Sequence, residues 1–468
     1  MTTTTTDPAL KKRVWGWMMF DWATQPFYTL GLTFIFGPYF AGVVAEMYMN
    51  SGLSETSADA KSQIVWAGGT AVSGLCIAIL APILGAYADS TGRRLPWLIG
   101  FSAVYIVAST TMWWMLPDAS ALWFCLFGFF IAMIAAEIAL TFTNAILPSL
   151  GNEEEVGKIS ANGASFGYWG GLLALAIMLL FFFEFSEGKT VLGLSPPFGL
   201  DGEAREGTRF VGPFIAIWFV IFMIPYFMYV REGSTPNRSG GIRQALGDLK
   251  KSLKGVASRP SMLSFLGAAM LYQDALNALY SMGGVYARLV LDWGLLEIAT
   301  FGIIGALSAA ILTFVGGRFD RKYGPKPVIR TCVCILIVVC IIIVGMSRTS
   351  LLGIPLPEGS FIPDAIFYVC GSLIGGAGGA LYAASRSMMV RHTDPERASE
   401  AFGLFALSGK ATAFMAPALI LLFTFVLENA RLGYTPLIVM FILSLIVLRW
   451  VQPDGDRAEW SKSSIPAP

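Results

Sequence analysis

Gly85-Ala86-Tyr87-Ala88-Asp89-Ser90-Thr91-Gly92-Arg93-Arg94 closes one apolar run, and Gly316-Gly317-Arg318-Phe319-Asp320-Arg321-Lys322-Tyr323-Gly324-Pro325-Lys326 closes another about half a chain further on. In each, a glycine stands four residues before an aspartate, and a second glycine with basic neighbours follows three or four residues later. The repetition points to two copies of one plan, each leaving an apolar segment in the same way. The second copy is looser, with one more residue between Asp320 and Gly324 and Pro325 in place of a basic residue.

The 468 residues are 55% hydrophobic and only 13% charged, with a mean hydropathy of +0.64, a balance that places the chain in a bilayer. A net charge of +1, with Lys and Arg spread along the loops, argues against a nucleic-acid partner. Cys76, Cys125, Cys332, Cys334, Cys340 and Cys370 all fall in apolar runs without a CxxC pair or histidine cluster, and read as small apolar side chains. No metal-ligand spacing, nucleophile–base pair or soluble domain is present, so neither a metal, a cofactor nor an enzymatic activity is expected. The N-terminus is polar and basic, and the first apolar run is too long for a signal peptide, so the first span is expected in the mature protein.

A hydrocarbon core about 30 Å thick takes about 20 helical residues per crossing. Twelve runs of that kind can be counted: 14–44, 64–88, 96–116, 121–148, 160–184 and 210–231, then 261–288, 294–316, 326–347, 364–390, 398–426 and 432–451. They are continuous blocks rather than ten-residue alternations, which excludes a β-barrel. The expected fold is an all-α membrane protein of twelve transmembrane helices in two pseudo-symmetric six-helix bundles. Its parts are an N-terminal tail (1–13), a first bundle (14–231), a linker (232–260), a second bundle (261–451) and a C-terminal tail (452–468). In the linker Ile242, Leu246, Leu249, Leu253 and Val256 recur at three- and four-residue steps, as on an amphipathic helix at a membrane surface. Basic residues gather in alternate loops: Lys11 to Arg13, Arg93 and Arg94, Arg231 to Arg259, Arg318 to Lys326, Arg391 and Arg397, and Arg449 and Arg457. The positive-inside rule puts these loops and both termini in the cytoplasm of a plasma membrane, the inner membrane if the cell is bacterial.

Ionisable groups inside a span cost about 2.5 to 3.5 kcal/mol each on insertion scales, so each needs a reason. Span one carries Asp21, Gln25 and Tyr28 at steps of four and three, and span four repeats those steps with Glu137, Thr141 and Asn144. Span seven adds Gln273, Asp274, Asn277 and Ser281, and span ten Tyr382, Ser385 and Arg386. Each set forms a polar stripe on one helical face. Lys410 stands about 18 Å along span eleven, near mid-membrane. Three acids, Asp21, Glu137 and Asp274, thus face two bases, Arg386 and Lys410. Two pairs leave one carboxylate to titrate, which suggests that Lys410 or Arg386 receives an anionic solute group while Glu137 or Asp274 takes a proton. Static pairing between helices is the alternative. Trp22, Phe27 and Tyr28 can stack on a solute or pack between helices. The one histidine, His392, lies in a loop, which excludes an imidazole relay inside the membrane. Glycines at steps of four, Gly163, Gly167 and Gly171, then Gly371, Gly375 and Gly379, allow close helix packing.

With these spans, the duplicated loop resembles that of the major facilitator superfamily. Phe20-Asp21-Trp22-Ala23, Asn144-Ala-Ile-Leu-Pro148, Ser385-Arg386-Ser387, Phe402-Gly403-Leu404 and Gly409-Lys410-Ala411-Thr412 resemble the autophagy-related vacuolar amino-acid effluxer branch and its bacterial relatives. An arginine often found in span four of proton-coupled members has no counterpart here, and the Gly-Pro phrase of many drug antiporters is missing from span five. The resemblance implies a central cavity lined by spans one, four, seven and ten. It also implies that the loop after span two lies against the start of span eleven, near Ser399, and the loop after span eight against the start of span five, near Ser160. Asp89 and Asp320 would then each hold a helix N-terminus, worth about 0.3 to 2 kcal/mol. The latch set is Gly85, Asp89, Gly92, Arg93 and Arg94 with Gly316, Asp320, Arg321 and Gly324. The expected activity is secondary active transport of an amino acid or similar small metabolite by alternating access, coupled to protons, by a monomer in the lipid bilayer. Export of amphipathic drug- or lipid-like compounds and a non-transporting sensor are the competing readings.

Overall fold

The computed structural model describes residues 8–185, 188–231, 247, 255–293, 295–357, 359–427, 429 and 431–456. Of the linker stripe, Ile242, Leu246, Leu249 and Leu253 lie outside these residues, as do 1–7 and 457–468. Helices dominate. In the first part of the chain they are α1 (Pro8–Pro26), α2 (Phe36–Asn50), α3 (Glu55–Thr91), α4 (Leu95–Thr110), α5 (Leu122–Asn144), α6 (Glu153–Phe181), the single turn α7 (Glu206–Arg209) and α8 (Val211–Tyr229). The later helices are α9 (Pro260–Leu291), α10 (Leu295–Tyr323), α11 (Pro325–Gly345), α12 (Ile362–Arg391), α13 (Ala398–Ala411), α14 (Met415–Leu427) and α15 (Thr435–Leu448).

Among the described residues ten helical segments are long and apolar enough to cross a membrane. The 32-residue α9 and the shorter apolar Leu432–Leu448 stand outside that set. The chain is an integral, multi-pass membrane protein. One departure from an all-helical chain is a small hairpin, β1 (Ser350–Leu351) with β2 (Ile354–Pro355), paired Ser350 to Pro355 and Leu351 to Ile354. Leu352 and Gly353 at its tip both have positive φ, 48° and 85°, the backbone a two-residue hairpin turn demands.

Prolines decide where the long runs are irregular. Pro26 has no N–H for the carbonyl of Trp22, and the indole of Trp218 donates to that oxygen instead at 3.1 Å. The ladder then widens into an eight-residue π-helix, Phe27–Phe34, before α2 resumes. The run read as span eleven is likewise two helices, α13 and α14. Pro417 lacks the N–H that a continuous helix would give the carbonyl of Ala413, and Pro is at home in a first turn, so a new helix begins at Met415.

The chain divides into two compact units. The first comprises residues 1–77, 94–143 and 166–233. Its core is aromatic: Phe27, Phe36 and Phe129 stack with ring centroids 5.0 and 5.3 Å apart, and Tyr105 and Trp66 close the cluster. Offset ring pairs of this kind add about 0.5 to 1.5 kcal/mol beyond area burial. The indole of Trp17 donates to the carbonyl of Thr143 at 2.8 Å. The loop after α6 is organised by Glu184, whose buried carboxylate accepts from Gly207 N at 2.7 Å, Thr208 N at 2.8 Å and Thr208 Oγ1 at 2.5 Å. A carboxylate from a distant residue thus satisfies the open N–H groups at the start of α7.

The second unit comprises 78–93, 144–165 and 234–468, so two segments from the first half of the sequence belong with the second half. Two sets of contacts join them. In one, α3 crosses α13 at small residues: a β-carbon at Gly85 would collide with the carbonyl of Ser399, and one at Gly403 would stand 2.6 Å from the Pro82 α-carbon. Ala86 and Leu404 are buried at this crossing, with Ile83, Leu407 and the linker's Val256 packed around them. In the other, α6 meets α10 and α12 through a cluster of Ala161, Ala164 and Ala383, where Ser165 Oγ donates to Ala310 O at 2.5 Å.

Candidate functional site: buried charges and helix ends in each unit

In the first unit Asp21, Gln25, Tyr28 and Glu137 are half-buried. Asp21 and Gln25 face α6 across a glycine seam. A β-carbon at Gly167 would stand 3.0 Å from the Asp21 carbonyl oxygen, and one at Gly171 2.8 Å from the Gln25 γ-carbon. The Thr141 hydroxyl is buried and donates to its own helix, to Glu137 O at 3.0 Å. Trp22 lies among Phe166, Trp218 and Phe222, Phe27 lies in the stack with Phe129, and Tyr28 meets Phe27 edge-on. The ring of each thus has protein rings as neighbours.

In the second unit Arg386 has no exposed surface. Its guanidinium donates to Ser160 O at 2.6 Å, Ser160 Oγ at 3.1 Å and Asn144 Oδ1 at 3.4 Å, and it lies 4.8 Å from the Tyr382 ring centre. The structure therefore brings Asn144 and Arg386 together and adds Ser160, which sequence spacing does not single out as a ligand. Ser160 sits two turns into α6, and its hydroxyl donates to Ala383 O at 2.9 Å. Ser385 is likewise engaged, with Tyr272 at 2.7 Å.

Asp274 is 1% exposed. One carboxylate oxygen, Oδ2, accepts from Ala416 N at 3.1 Å, at the second residue of α14. The other, Oδ1, is buried and has no hydrogen-bond partner. Gln273, one residue before, is half-buried, and its Oε1 lies 2.5 Å from where a β-carbon at Gly409 would stand. Asn277 and Ser281 are exposed, so the stripe on α9 runs from a buried end to an open one. Lys410 is half-buried at the last turn of α13.

The duplicated motif sits at two helix junctions. Asp89 Oδ2 accepts from Glu400 N at 2.8 Å, the third residue of α13. The residue before α13 is Arg397, which has no acceptor to offer the open N–H groups, so Asp89 performs the N-cap's task from another helix. Arg397 instead holds the Glu400 carboxylate at 2.7 Å. Asp320 is 2% exposed and lies against Gly157, in the second turn of α6, where any side chain would displace it. It accepts from Ser387 Oγ at 3.4 Å, and its Oδ2 has no partner. Gly92 and Gly324, the second glycine of each copy, directly follow α3 and α10 and have φ of 67° and 80°, positive values that glycine adopts without strain. Arg93 and Arg321 are exposed, and Gly316 abuts Ala380.

His392 directly follows α12 and is buried rather than open to solvent, 1% exposed. Its ring stacks on Phe265 with centroids 5.5 Å apart. Since Met388 O can only accept, Nδ1 carries the proton in that 3.0 Å contact, and Nε2 accepts from Ser261 Oγ at 2.8 Å. Ser261 Oγ in turn accepts from Gln452 N at 2.9 Å. Burial holds the imidazole below its ordinary range, opposed by the Met388 carbonyl and Asp456.

The model of the family described as vacuole effluxer Atg22 like matches residues 9–460. An uncharacterized MFS-type transporter, YxiO of Bacillus subtilis (strain 168), is 24% identical over 445 residues, 94% of each chain. Autophagy-related protein 22 of Cryptococcus neoformans var. neoformans serotype D (strain B-3501A) is 23% identical over 66% of this chain and 55% of its own, so this chain spans about half the length of that relative. Among solved structures, the proton:xylose symporter XylE, an MFS protein, superposes with a TM-score of 0.67 at 12% identity, covering 97% of this chain and 98% of that one. The human organic anion transporter MFSD10 gives 0.64 at 15% identity, covering 94% and 100%. At such identities these structures speak for the fold. With the helical membrane architecture and the family match over nearly its whole length, the chain belongs to the Atg22-like effluxer family of major facilitator transporters.

Proposed function

We propose that this protein is a secondary active transporter that moves an amino acid or a similar small metabolite by alternating access, coupled to protons. In this reading α9 and Leu432–Leu448 also cross the membrane, which brings the spans to twelve in two six-helix bundles, with both termini in the cytoplasm of a plasma membrane. The observation that carries it is the pair of buried ionisable groups, Asp274 and Arg386, on two long helices. Neither placement is what helix packing alone would select, because a charge at such depth costs several kcal/mol unless it is used or compensated. Asp274 makes no ion pair among the described residues and is the carboxylate best placed to carry the proton.

Arg386 is the group for the solute's anionic end. A serine carbonyl, a hydroxyl and an amide oxygen are among its partners. A solute carboxylate would offer a charge-assisted, two-pronged alternative, roughly twice as strong as a neutral hydrogen bond. The Asp89 and Asp320 junctions serve as latches that tie first-half helices to second-half helices on the cytoplasmic side, and their release accompanies opening there. A thermal-shift screen of purified protein against amino acids, peptides and organic acids tests the solute class. Stabilisation by a carboxylate-bearing amino acid that is lost in Arg386→Gln is expected. Stabilisation only by neutral amphipathic compounds would count against the amino-acid reading.

A further inference from the structure

The break between α13 and α14 takes from backbone carbonyls the amides that a continuous helix would supply. In a continuous helix the amides of Thr412 and Ala413 would bond the carbonyls of Ser408 and Gly409. Here both turn to the carbonyl of Lys410 instead, the second at 3.4 Å. Pro417 has no N–H for Ala413. The Thr412 hydroxyl oxygen is also buried without a partner. On the far side of the break, Ala416 N–H is taken by Asp274 Oδ2, while Asp274 Oδ1 is buried and unpartnered. One side of the break thus has carbonyls without their helical amides and an unpartnered hydroxyl, and the carboxyl group facing the other side has an oxygen to spare.

Building on the proton-coupled reading above, we propose that Asp274 is a proton-operated splint across the α13–α14 break. With a proton on Oδ1, the neutral acid donates to an open acceptor at the end of α13 while Oδ2 keeps the Ala416 N–H at the start of α14. Each half-helix is then tied to the same side chain. When the proton leaves, the carboxylate can no longer donate to a carbonyl, and that tie to the end of α13 is lost. The ionised form also lacks a counter-charge. Of the charged groups on helices packed against α9, Glu400 and Lys410 lie on α13, Asp364, Arg386 and Arg391 on α12, and Glu297, Arg318, Asp320, Arg321 and Lys322 on α10. None makes an ion pair with Asp274 among the described residues, and α14 and α15 carry no charge.

The position of α13 makes the splint consequential. The helix is 14 residues long, about 21 Å at 1.5 Å per residue. Asp89 holds its first turn through Glu400 N, and Asp274 holds the segment just beyond its last turn through Ala416 N. Proton site and latch are therefore the two ends of one short rod, and Lys410 rides on it. Loss of the proton frees one end and loosens the grip at the other.

Hydrogen exchange of the full chain in lipid nanodiscs, read over peptides spanning 398–416 at about pH 5.5 and about pH 8.5 and corrected for intrinsic rates, tests this. In the wild type, exchange should be about tenfold faster at the higher pH. In Asp274→Asn, whose amide donates and accepts like the neutral acid, protection should stay at the low-pH level throughout. Wild-type exchange independent of pH, or an Asn variant with the wild-type response, would overturn the splint, and the wild-type arm decides even if the variant fails to fold. Intact pH-dependent protection without solute-linked proton movement would instead sink the transport reading and leave the splint standing.

Discussion

His392 shows how one side chain can set a pH limit for the whole fold. Its Nδ1–H donates to Met388 O and its Nε2 accepts from Ser261, so the neutral ring satisfies both partners, and protonation would put a second donor against Ser261 while burying a charge. Asp456 favours the charged ring, Arg259 and Arg391 oppose it, and burial dominates. The folded pKa lies below the unfolded value of about 6.5, so the contribution is present above that value and lost as pH falls through it. Melting in detergent should therefore drop between about pH 7.5 and about pH 5.5, and His392→Gln should flatten that drop. An equal drop in both proteins would assign the acid sensitivity elsewhere. His392 does lie in a loop, as its sequence position suggests, yet its burial is not legible there, because Phe265 and Ser261 reach it from a remote helix.

Among elements, the apolar runs were readable because a helix in lipid must satisfy its own backbone, so length and hydropathy announce it. The irregularities were harder to see. Pro26 and Pro417 were there to be read as the start of the π-helix and of α14, but a proline inside an apolar run also occurs in unbroken membrane helices. The polar stripes gave Asp274 and Arg386, whereas the role of Ser160 follows from a helix crossing that spacing cannot reveal. The two motif copies also differ in a way that matters at this scale. Asp89 accepts a backbone N–H from α13, whereas Asp320 is buried deeper with one unpartnered oxygen. Asp89→Asn removes charge from a helix N-terminus, worth about 0.3 to 1 kcal/mol, and should lower thermal stability and transport by about two- to five-fold in the latched equilibrium. Asp320→Asn removes a buried charge whose burial outweighs the Ser387 hydroxyl and the field of Arg391, and should be neutral or mildly stabilising. Equal loss in both variants, measured side by side, would remove the distinction.

At the scale of the molecule, ten helical segments among the described residues are long and apolar enough to cross a membrane, and the solved structures it resembles cover nearly the entire chain. In the second unit, residues 78–93 and 144–165 are bound to the later half of the chain at Asp89, Gly85, Gly403, Ser160 and Arg386. The polar and small-residue contacts among these are of a kind that could open and re-form under the alternating access proposed above. The reading then reduces to whether solute movement and proton movement are one event. The direct measurement is proton flux into proteoliposomes holding a pH-sensitive dye, started by adding an amino-acid mixture on one side without an imposed proton gradient. Solute-dependent acidification or alkalinisation is predicted for the wild type and should be abolished in Asp274→Asn. Solute movement with no proton signal, or a signal unchanged in that variant, would contradict it.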